Sequence, residues 1–183
     1  EYITIETLGN AQDFGEATVA RAARPAVVSS STRGVWAGGY NAGTKNTIDF
    51  ITFSSTGDAV DFGDTAQSTS NASGCSNQTR GIHFCGGPSS PYSNTITTGN
   101  ASDFGDLTTT GRYQSGLSNS TRGVIHEADY PSAITTLSFV TTASIGNAVD
   151  FGDTILNSAY FGGTGSSPTR GVFASNAPGN MQK

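Results

Sequence analysis

Gly99-Asn100-Ala101-Ser102-Asp103-Phe104-Gly105-Asp106 decides the fold, because the chain carries this phrase four times. It returns as Gly9-Asn10-Ala11-Gln12-Asp13-Phe14-Gly15-Glu16, as Gly57-Asp58-Ala59-Val60-Asp61-Phe62-Gly63-Asp64 and as Gly146-Asn147-Ala148-Val149-Asp150-Phe151-Gly152-Asp153, at spacings of 48, 42 and 47 residues. A second phrase keeps the same beat: Thr32-Arg33-Gly34-Val35, Thr79-Arg80-Gly81-Ile82, Thr121-Arg122-Gly123-Val124 and Thr169-Arg170-Gly171-Val172. Periods of this size mark arrays in which each repeat is one supersecondary unit. The 183 residues read as a single repeat domain, with units near 1–46, 47–89, 90–133 and 134–183.

Working outward from the phrase, alternating apolar and polar residues place strands. Tyr2 to Ile5, Ile48 to Phe53 and Leu137 to Val140 form a strand c, a Thr-Gly-Asn/Asp turn comes next, and Asp-Phe-Gly-Asp forms a short strand d whose Phe is a core plug. Ala26 to Ser29 and Ser73 to Ser76 suit a strand a. The Thr-Arg-Gly step then leads into a strand b at Val35 to Ala37 or Ile82 to Phe84. Glycine at the turn permits positive φ, and Asn or Asp there can bond its own backbone two residues on. Four short antiparallel strands per repeat of about 46 residues describe a propeller blade.

Val35-Trp36-Ala37-Gly38-Gly39 followed by Ile48-Asp49-Phe50 resembles the kelch repeat, in which a double glycine ends the second strand. Phe84-Cys85-Gly86-Gly87 repeats the feature, whereas Ile125-His126-Glu127-Ala128 and Phe173-Ala174-Ser175-Asn176 depart from it. The phrase from Thr98 to Thr108, together with Ser-x-Thr-Arg-Gly-Val, is similar over nearly the whole chain to the kelch-like repeat regions of tail-fibre and other virion proteins of marine bacteriophages. That resemblance implies a virion structural or appendage role, at the virion surface or otherwise extracellular. Its implied partners are other virion proteins, copies of the chain itself and host-surface glycan.

The fold expected is all-β, a four-bladed kelch-like β-propeller. Because the units are cut between strands b and c, Glu1 to Ala17 would pair with Ser158 to Ser175 and close the ring, leaving no orphan edge. The alternative is an open β-repeat array, completed head to tail between subunits as an extracellular filament. Ring closure is the primary expectation, since it avoids the entropy cost of association.

Composition agrees with a turn-rich β protein: 24 Gly and only 13% charged residues. The formal charge of −5 disfavours nucleic acid and anionic membrane surfaces, which require clustered cations. No 18-residue apolar run offers a membrane span, and the first residues lack the basic and apolar regions of a signal peptide. The chain is expected to be soluble. The absence of an initiator Met fits a processed form or the C-terminal part of a longer protein.

Residues repeated fourfold read as architecture. Asp13, Asp61, Asp103 and Asp150 are expected to face Arg33, Arg80, Arg122 and Arg170 as partly buried ion pairs, beside the plugs Phe14, Phe62, Phe104 and Phe151. A Ca²⁺ site at Asp58, Asp61 and Asp64, or at Asp150 and Asp153, is the competing and weaker reading. Breaks in the pattern are few. His126-Glu127 with Asp129, and His83, offer carboxylate and imidazole, but no complete ligand set and no nucleophile with an oriented base. No metal, cofactor or enzymatic activity is expected.

The loops joining strand b to strand c differ in every unit and hold Tyr40, Tyr92 and Tyr130, which with His126 are the candidate ligand-binding residues, suited to stacking on sugar. Packing within a turn is the equal alternative for each Tyr. Cys75 and Cys85 lie in one unit only, so they are either a local disulfide or two buried thiols. Asn71, Asn77, Asn100 and Asn119 head Asn-x-Ser/Thr sequons, which matter only where the source glycosylates them.

Overall fold

The computed structural model describes residues 1–22, 25–84, 93–96, 99–109, 111–128, 131–159 and 161–175. The protein is all-β, with antiparallel sheets and no helix among the described residues. The first sheet is the meander β1 (Ala26–Ser29), β2 (Arg33–Ala37), β3 (Lys45–Thr52) and β4 (Val60–Thr69). The second is β5 (Ser73–Ser76), β6 (Gly81–Phe84), β7 (Ser93–Ile96) and β8 (Ser102–Gly105). The third is β9 (Ser115–Ser118), β10 (Arg122–His126), β11 (Ile134–Thr141) and β12 (Val149–Ser158), and β13 (Phe161–Ser166) pairs with β14 (Gly171–Ser175) as a two-stranded sheet. Strands a to d of the repeat fall on these elements in order.

Local chemistry explains the hairpins. In β1 the residues alternate strictly, with Ala26 and Val28 buried and Val27 and Ser29 exposed. The turn from strand a to strand b closes through a backbone bond to the repeat arginine, from Ser30, Asn77, Asn119 and Ser167 to the carbonyls of Arg33, Arg80, Arg122 and Arg170. The side-chain oxygen of the same turn residue accepts the arginine N–H, as Asn77 Oδ1 does from Arg80 at 2.8 Å. Such side-chain-to-backbone turns are what Ser and Asn do well.

The Asp-Phe-Gly phrase is a bulge. Opposite β4, Ile48 pairs with Gly63 and Asp49 with Asp61, which leaves Phe62 as the extra residue. Gly63 takes φ 136°, a region open to glycine, and its N–H donates to Asp61 Oδ1 at 2.9 Å. The same Asp-to-Gly bond recurs at Asp13, Asp103 and Asp150. Beyond the bulge, β4 and β12 run on to Thr69 and Ser158, well past the short strand the sequence suggests.

The expected Asp–Arg pairs do not form. With each Asp committed to its own bulge, three of the four arginines lie over aromatic rings instead: Arg33 is 4.8 Å from the centroid of Phe50, Arg80 5.9 Å from Phe104 and Arg122 4.5 Å from Phe139. The ion pair seen among the described residues is Arg21–Asp49, buried where the segment entering β1 crosses β3 and joined there by Thr18.

Inner strands pack in single file, β1 on β5, β5 on β9 and β9 on β13. The largest apolar cluster, including Cys75, Phe84, Phe104 and Ile125, fills the space between the second and third sheets, and Ala37 with Ile48 forms a smaller one beside Phe62 and Ala101. Ahead of the first sheet, Tyr2 pairs with Gln12 as the start of another strand c and d hairpin. Its Tyr2–Phe14 edge contact at 5.8 Å matches Phe50–Phe62 at 5.6 Å and Phe139–Phe151 at 6.1 Å. The closing pairing of Glu1 to Ala17 with Ser158 to Ser175 is not formed among the described residues: β14 pairs with β13 alone. The row of inner strands leaves the N-terminal hairpin and the β13–β14 hairpin at its two ends.

Candidate functional site

The features repeated in every unit converge on one place, the junction between consecutive sheets. At the outer edge the bulge of one unit meets the Gly-Asn/Asp-Ala turn of the next. Gly57 N–H donates to Phe14 O at 2.7 Å, Ala59 N–H to Glu16 O at 2.8 Å, and Glu16 N–H to Asp58 Oδ1 at 3.0 Å. Between the third pair, Gly146 N–H donates to Phe104 O at 2.9 Å, Ala148 N–H to Asp106 O at 2.8 Å and Asp106 N–H to Asn147 Oδ1 at 3.1 Å. Ala101 N–H and Asn100 Oδ1 do the same with Asp64, at 2.8 Å and 3.0 Å. The turn Asn or Asp thus serves the neighbouring unit, not its own backbone two residues on.

Backbone approach here is close enough to exclude a side chain. A Cβ on Gly105 would lie 2.6 Å from the carbonyl carbon of Gly146, and one on Gly63 2.6 Å from that of Gly99. The glycine therefore answers two demands at once, positive φ and contact with the next chain segment.

A second ladder runs along the inner strands. Ser76 Oγ donates to Ser29 O at 2.8 Å, Ser118 Oγ to Ser76 O at 2.7 Å and Ser166 Oγ to Ser118 O at 2.8 Å. Each of these serines stands four residues before the repeat arginine. That regularity is present in the sequence but escapes a reading of it, because serine in a serine-rich chain draws no notice. Between the ladders, the glycine of Thr-Arg-Gly gives room to the neighbour's side chain: Gly81 faces Val28, Gly123 faces Cys75 and Gly171 faces Leu117.

Each ladder stops at the two ends. Gly152 has a positive φ like that of Gly105, yet no heavy atom of another described segment comes within 4 Å of where its Cβ would lie. Phe151 is 49% exposed, where Phe104 is fully buried. Phe62 and Phe14 are half-buried, so the four expected core plugs differ in depth, and Phe151 is not one. At the opposite end a groove of about 850 Å³ opens between the N-terminal hairpin and the first sheet, lined by Tyr2, Phe14, Trp36, Ile51 and Phe53 among others. Ile3, Ile5 and Leu8 beside it are exposed, as are Val149 and Val172 at the far end.

The residues singled out for chemistry fare differently. Tyr40 is exposed and its backbone bridges Thr44, a tight turn of its own loop. Tyr92, Tyr130 and Asp129 lie outside the described residues. His126 is no loop ligand: it is buried in β10, where its Nε2 lies 3.1 Å from Ile134 O and burial pulls its pKa below the ordinary value. Glu127 is also buried, and its carboxylate is saturated by the N–H and hydroxyl groups of Thr108 and Thr109, which pin the segment between β8 and β9.

His83 is fully buried, neither ring nitrogen is bonded to a described residue, and desolvation pushes its pKa down to about 3. Cys75 is a free buried thiol, its pKa pushed up to about 12, so the disulfide reading fails on its side: its sulfur packs under Gly123 of the next sheet. Cys85 lies outside the described residues. Asp58 and Asp61 spend a carboxylate oxygen each on backbone N–H groups, and no group of three metal-binding side chains occurs among the described residues. Asn77, Asn100 and Asn119 have their amides engaged in turns and junctions, while Asn71 sits at φ 57° in the turn before β5. No family model matches the sequence, and neither does any curated protein.

Proposed function

We propose that this chain is a non-enzymatic structural module, a stacked β-repeat scaffold of a virion appendage or other extracellular assembly. One observation carries the reading: of the polar residues that recur in every unit, three of the four turn Asn or Asp side chains and three of the four inner Ser hydroxyls are spent on hydrogen bonds between consecutive units. A catalytic site on a repeat needs polar groups held free for a substrate. Here the carboxylate of Glu127 is saturated by bonds that fasten a linker segment, and the imidazole of His83, with no partner among the described residues, is fully buried away from any substrate. The virion setting rests on the resemblance of the repeat phrase to phage kelch-like regions.

Of the two architectures, the open series is favoured over the closed four-bladed propeller. Supporting it are the packing of β1 on β5, β5 on β9 and β9 on β13 and, among the described residues, a two-stranded sheet of β13 and β14. Negative-stain electron microscopy of the purified chain tests the architecture: rods or end-joined particles are expected, and uniform discs would refute the open series. Antibodies against the chain, applied to purified marine phage particles, test the setting. Labelling of an appendage is expected, and label confined to cell interiors would refute it.

A further inference from the structure

We infer that the junction between the first and second sheets holds a binding site for an acidic sugar residue, whose carboxylate is taken by the guanidinium of Arg33. The site goes beyond the scaffold reading and does not depend on it. It arises where one turn of the repeat breaks the pattern that bridges the other junctions.

The turns from strand a to strand b are equivalent in sequence: Ser30-Ser31-Thr32-Arg33, Asn77-Gln78-Thr79-Arg80, Asn119-Ser120-Thr121-Arg122 and Ser167-Pro168-Thr169-Arg170. Where the first of the four residues is Asn, its amide crosses to the next unit. Asn77 Nδ2 donates to Ser120 O at 3.4 Å and to Thr142 Oγ1 at 3.1 Å, and Asn119 Nδ2 donates to Pro168 O at 3.0 Å. Ser30 is too short for that crossing. Its hydroxyl oxygen stays within its own turn, accepting from the N–H groups of Thr32 and Arg33 at 3.2 Å. The bridge comes instead from the opposite side, through Gln78 Oε1, which accepts from Ser31 N–H at 2.9 Å.

A pocket of about 260 Å³ is left between these two turns. Val28, Val35 and Phe62 give it apolar surface, and Arg33, Gln78 and Arg80 line it together with Ser, Thr and Asn residues. No acidic residue is among the described residues that line it, although the chain as a whole carries a net charge of −5. The two arginines differ in what they are free to do. Arg80 donates to Thr142 O at 2.8 Å across the second junction. Arg33 makes no hydrogen bond or ion pair with a described residue, and it is held by the Phe50 ring, 4.8 Å from the centroid. A ring contact uses up no N–H, so the fork of donors remains for the two oxygens of a carboxylate. Gln78 adds a second donor: a backbone N–H fixes its Oε1 as acceptor, which leaves the Nε2 hydrogens for a ligand.

Size and lining select the ligand. Pockets for drug-sized molecules run about 300–1,000 Å³, so this one admits a single ring and not an extended peptide. Hydroxyl and amide groups donate to and accept from ring hydroxyls, while Val35 and Phe62 take the apolar face of the ring. One carboxylate matches one uncommitted guanidinium, and the net negative charge of the chain opposes anions of higher charge. A uronic acid residue meets each of these conditions.

NMR titration of the isotope-labelled chain with an alginate trisaccharide tests the site. Saturable shifts are expected at Ser31 N–H and at the Gln78 side-chain amide, and neutral maltotriose is expected to shift neither. Arg33→Gln is expected to weaken binding about tenfold or more, the worth of a hydrogen bond to a charged group. Gln78→Glu keeps the acceptor for Ser31 N–H but sets a carboxylate against the ligand, and is expected to abolish binding with Tm unchanged. Ser30→Asn, which installs the crossing amide of the second and third turns, is expected to close the pocket and abolish binding without lowering Tm. These two variants carry the test even if Arg33→Gln fails to fold. Arg122→Gln, which removes a charge outside the pocket, is expected to leave affinity unchanged.

Absence of saturable shifts in the wild-type chain overturns the inference, as does equal weakening by Arg122→Gln and Arg33→Gln. Binding of inorganic sulfate or of a tri-glutamate peptide as tight as that of the trisaccharide also overturns it, because the pocket then captures an anion without recognising a sugar. None of these outcomes touches the scaffold reading, which rests on the bonds between units.

Discussion

Phe104 and Phe151 occupy the same position in identical Asp-Phe-Gly-Asp phrases, and one is fully buried while the other is half in water. The two differ in the neighbouring segment. Behind the second sheet stands the Gly146-Asn147-Ala148 turn of the third, whereas behind the third sheet no turn is packed among the described residues. Interior and end of the stack therefore share sequence and local geometry and differ in energy. A repeat unit of this kind is not stable by itself; it is completed by its neighbour, the nearest-neighbour logic of a one-dimensional array.

The sharpest way to test that comparison is to put the same methyl group at both places. Gly105→Ala meets the backbone of Gly146 and must push two segments apart, whereas Gly152→Ala meets no described segment and bears the strain of a positive φ. The strain is common to both, on the order of 1–2 kcal/mol. Gly105→Ala is expected to cost about 3 kcal/mol or more in total, since overpacking against backbone adds to it. Urea denaturation of both variants measures the gap directly, and equal losses would break the comparison.

His83 attacks it from the other side, because here the interior is the liability. Its counterpart in the third unit is Ile125, and both are fully buried. The folded pKa of His83, about 3, lies below its ordinary value of 6.5. The unfolded chain therefore takes up a proton that the folded chain refuses. Stability is full above pH 6.5 and falls as pH drops toward 3, by about 1.4 kcal/mol per unit. His126, shifted in the same direction, adds to the trend. His83→Ile is expected to flatten most of the slope, by roughly 2–3 kcal/mol at about pH 4.5, as read by thermal melts between about pH 4 and 7. A slope unchanged in that variant would assign the acid sensitivity elsewhere.

Much of this is legible in the sequence, and the illegible part has a physical cause. The period, the antiparallel units and the positions of strands a to d come from alternation and turn residues within one unit, so Ala26 to Ser29 or Gly81 to Phe84 are readable one repeat at a time. Relations between units are not readable that way. Asn100 reads as serving its own turn, because an Asx bond is the commonest local use of the side chain, yet the acceptor points at Asp64 N–H in the preceding unit. The repeat Asp and Arg suggest pairs by charge alone, but the bulge at Phe62 turns the Asp61 carboxylate onto Gly63, and the Arg33 guanidinium lies over Phe50. Curvature has no sequence signature at all. A period of 42 to 48 residues serves a ring and a row equally well, and the small rotation between sheets decides which.

The outer ladder can be taken apart one bond at a time. Asn147→Ala leaves Asp106 N–H without its acceptor, and Asn100→Ala does the same to Asp64. Each is expected to cost about 1 kcal/mol, the net worth of a bond at a partly exposed junction. For a chain of this size that is a Tm loss of about 2–4 °C, measurable by calorimetry. The two sites lie at different junctions and share no partner, so the double variant should show additive losses. A double loss well beyond the sum would mean that the junctions open as one unit.

Smallest of all is the contrast between two serines on the inner ladder. Ser118 Oγ both accepts from Ser76 N–H at 3.1 Å and donates to Ser76 O at 2.7 Å, so Ser118→Ala strips two bonds from a half-buried junction. Ser29 holds the same place in the first sheet, but its bonds to Ser76 run through its backbone. Ser118→Ala is expected to cost about 1 kcal/mol, whereas Ser29→Ala should stay within about 0.3 kcal/mol in dilute solution. Hydrogen exchange at Ser76 N–H reports the first loss locally, which separates a broken rung from general softening.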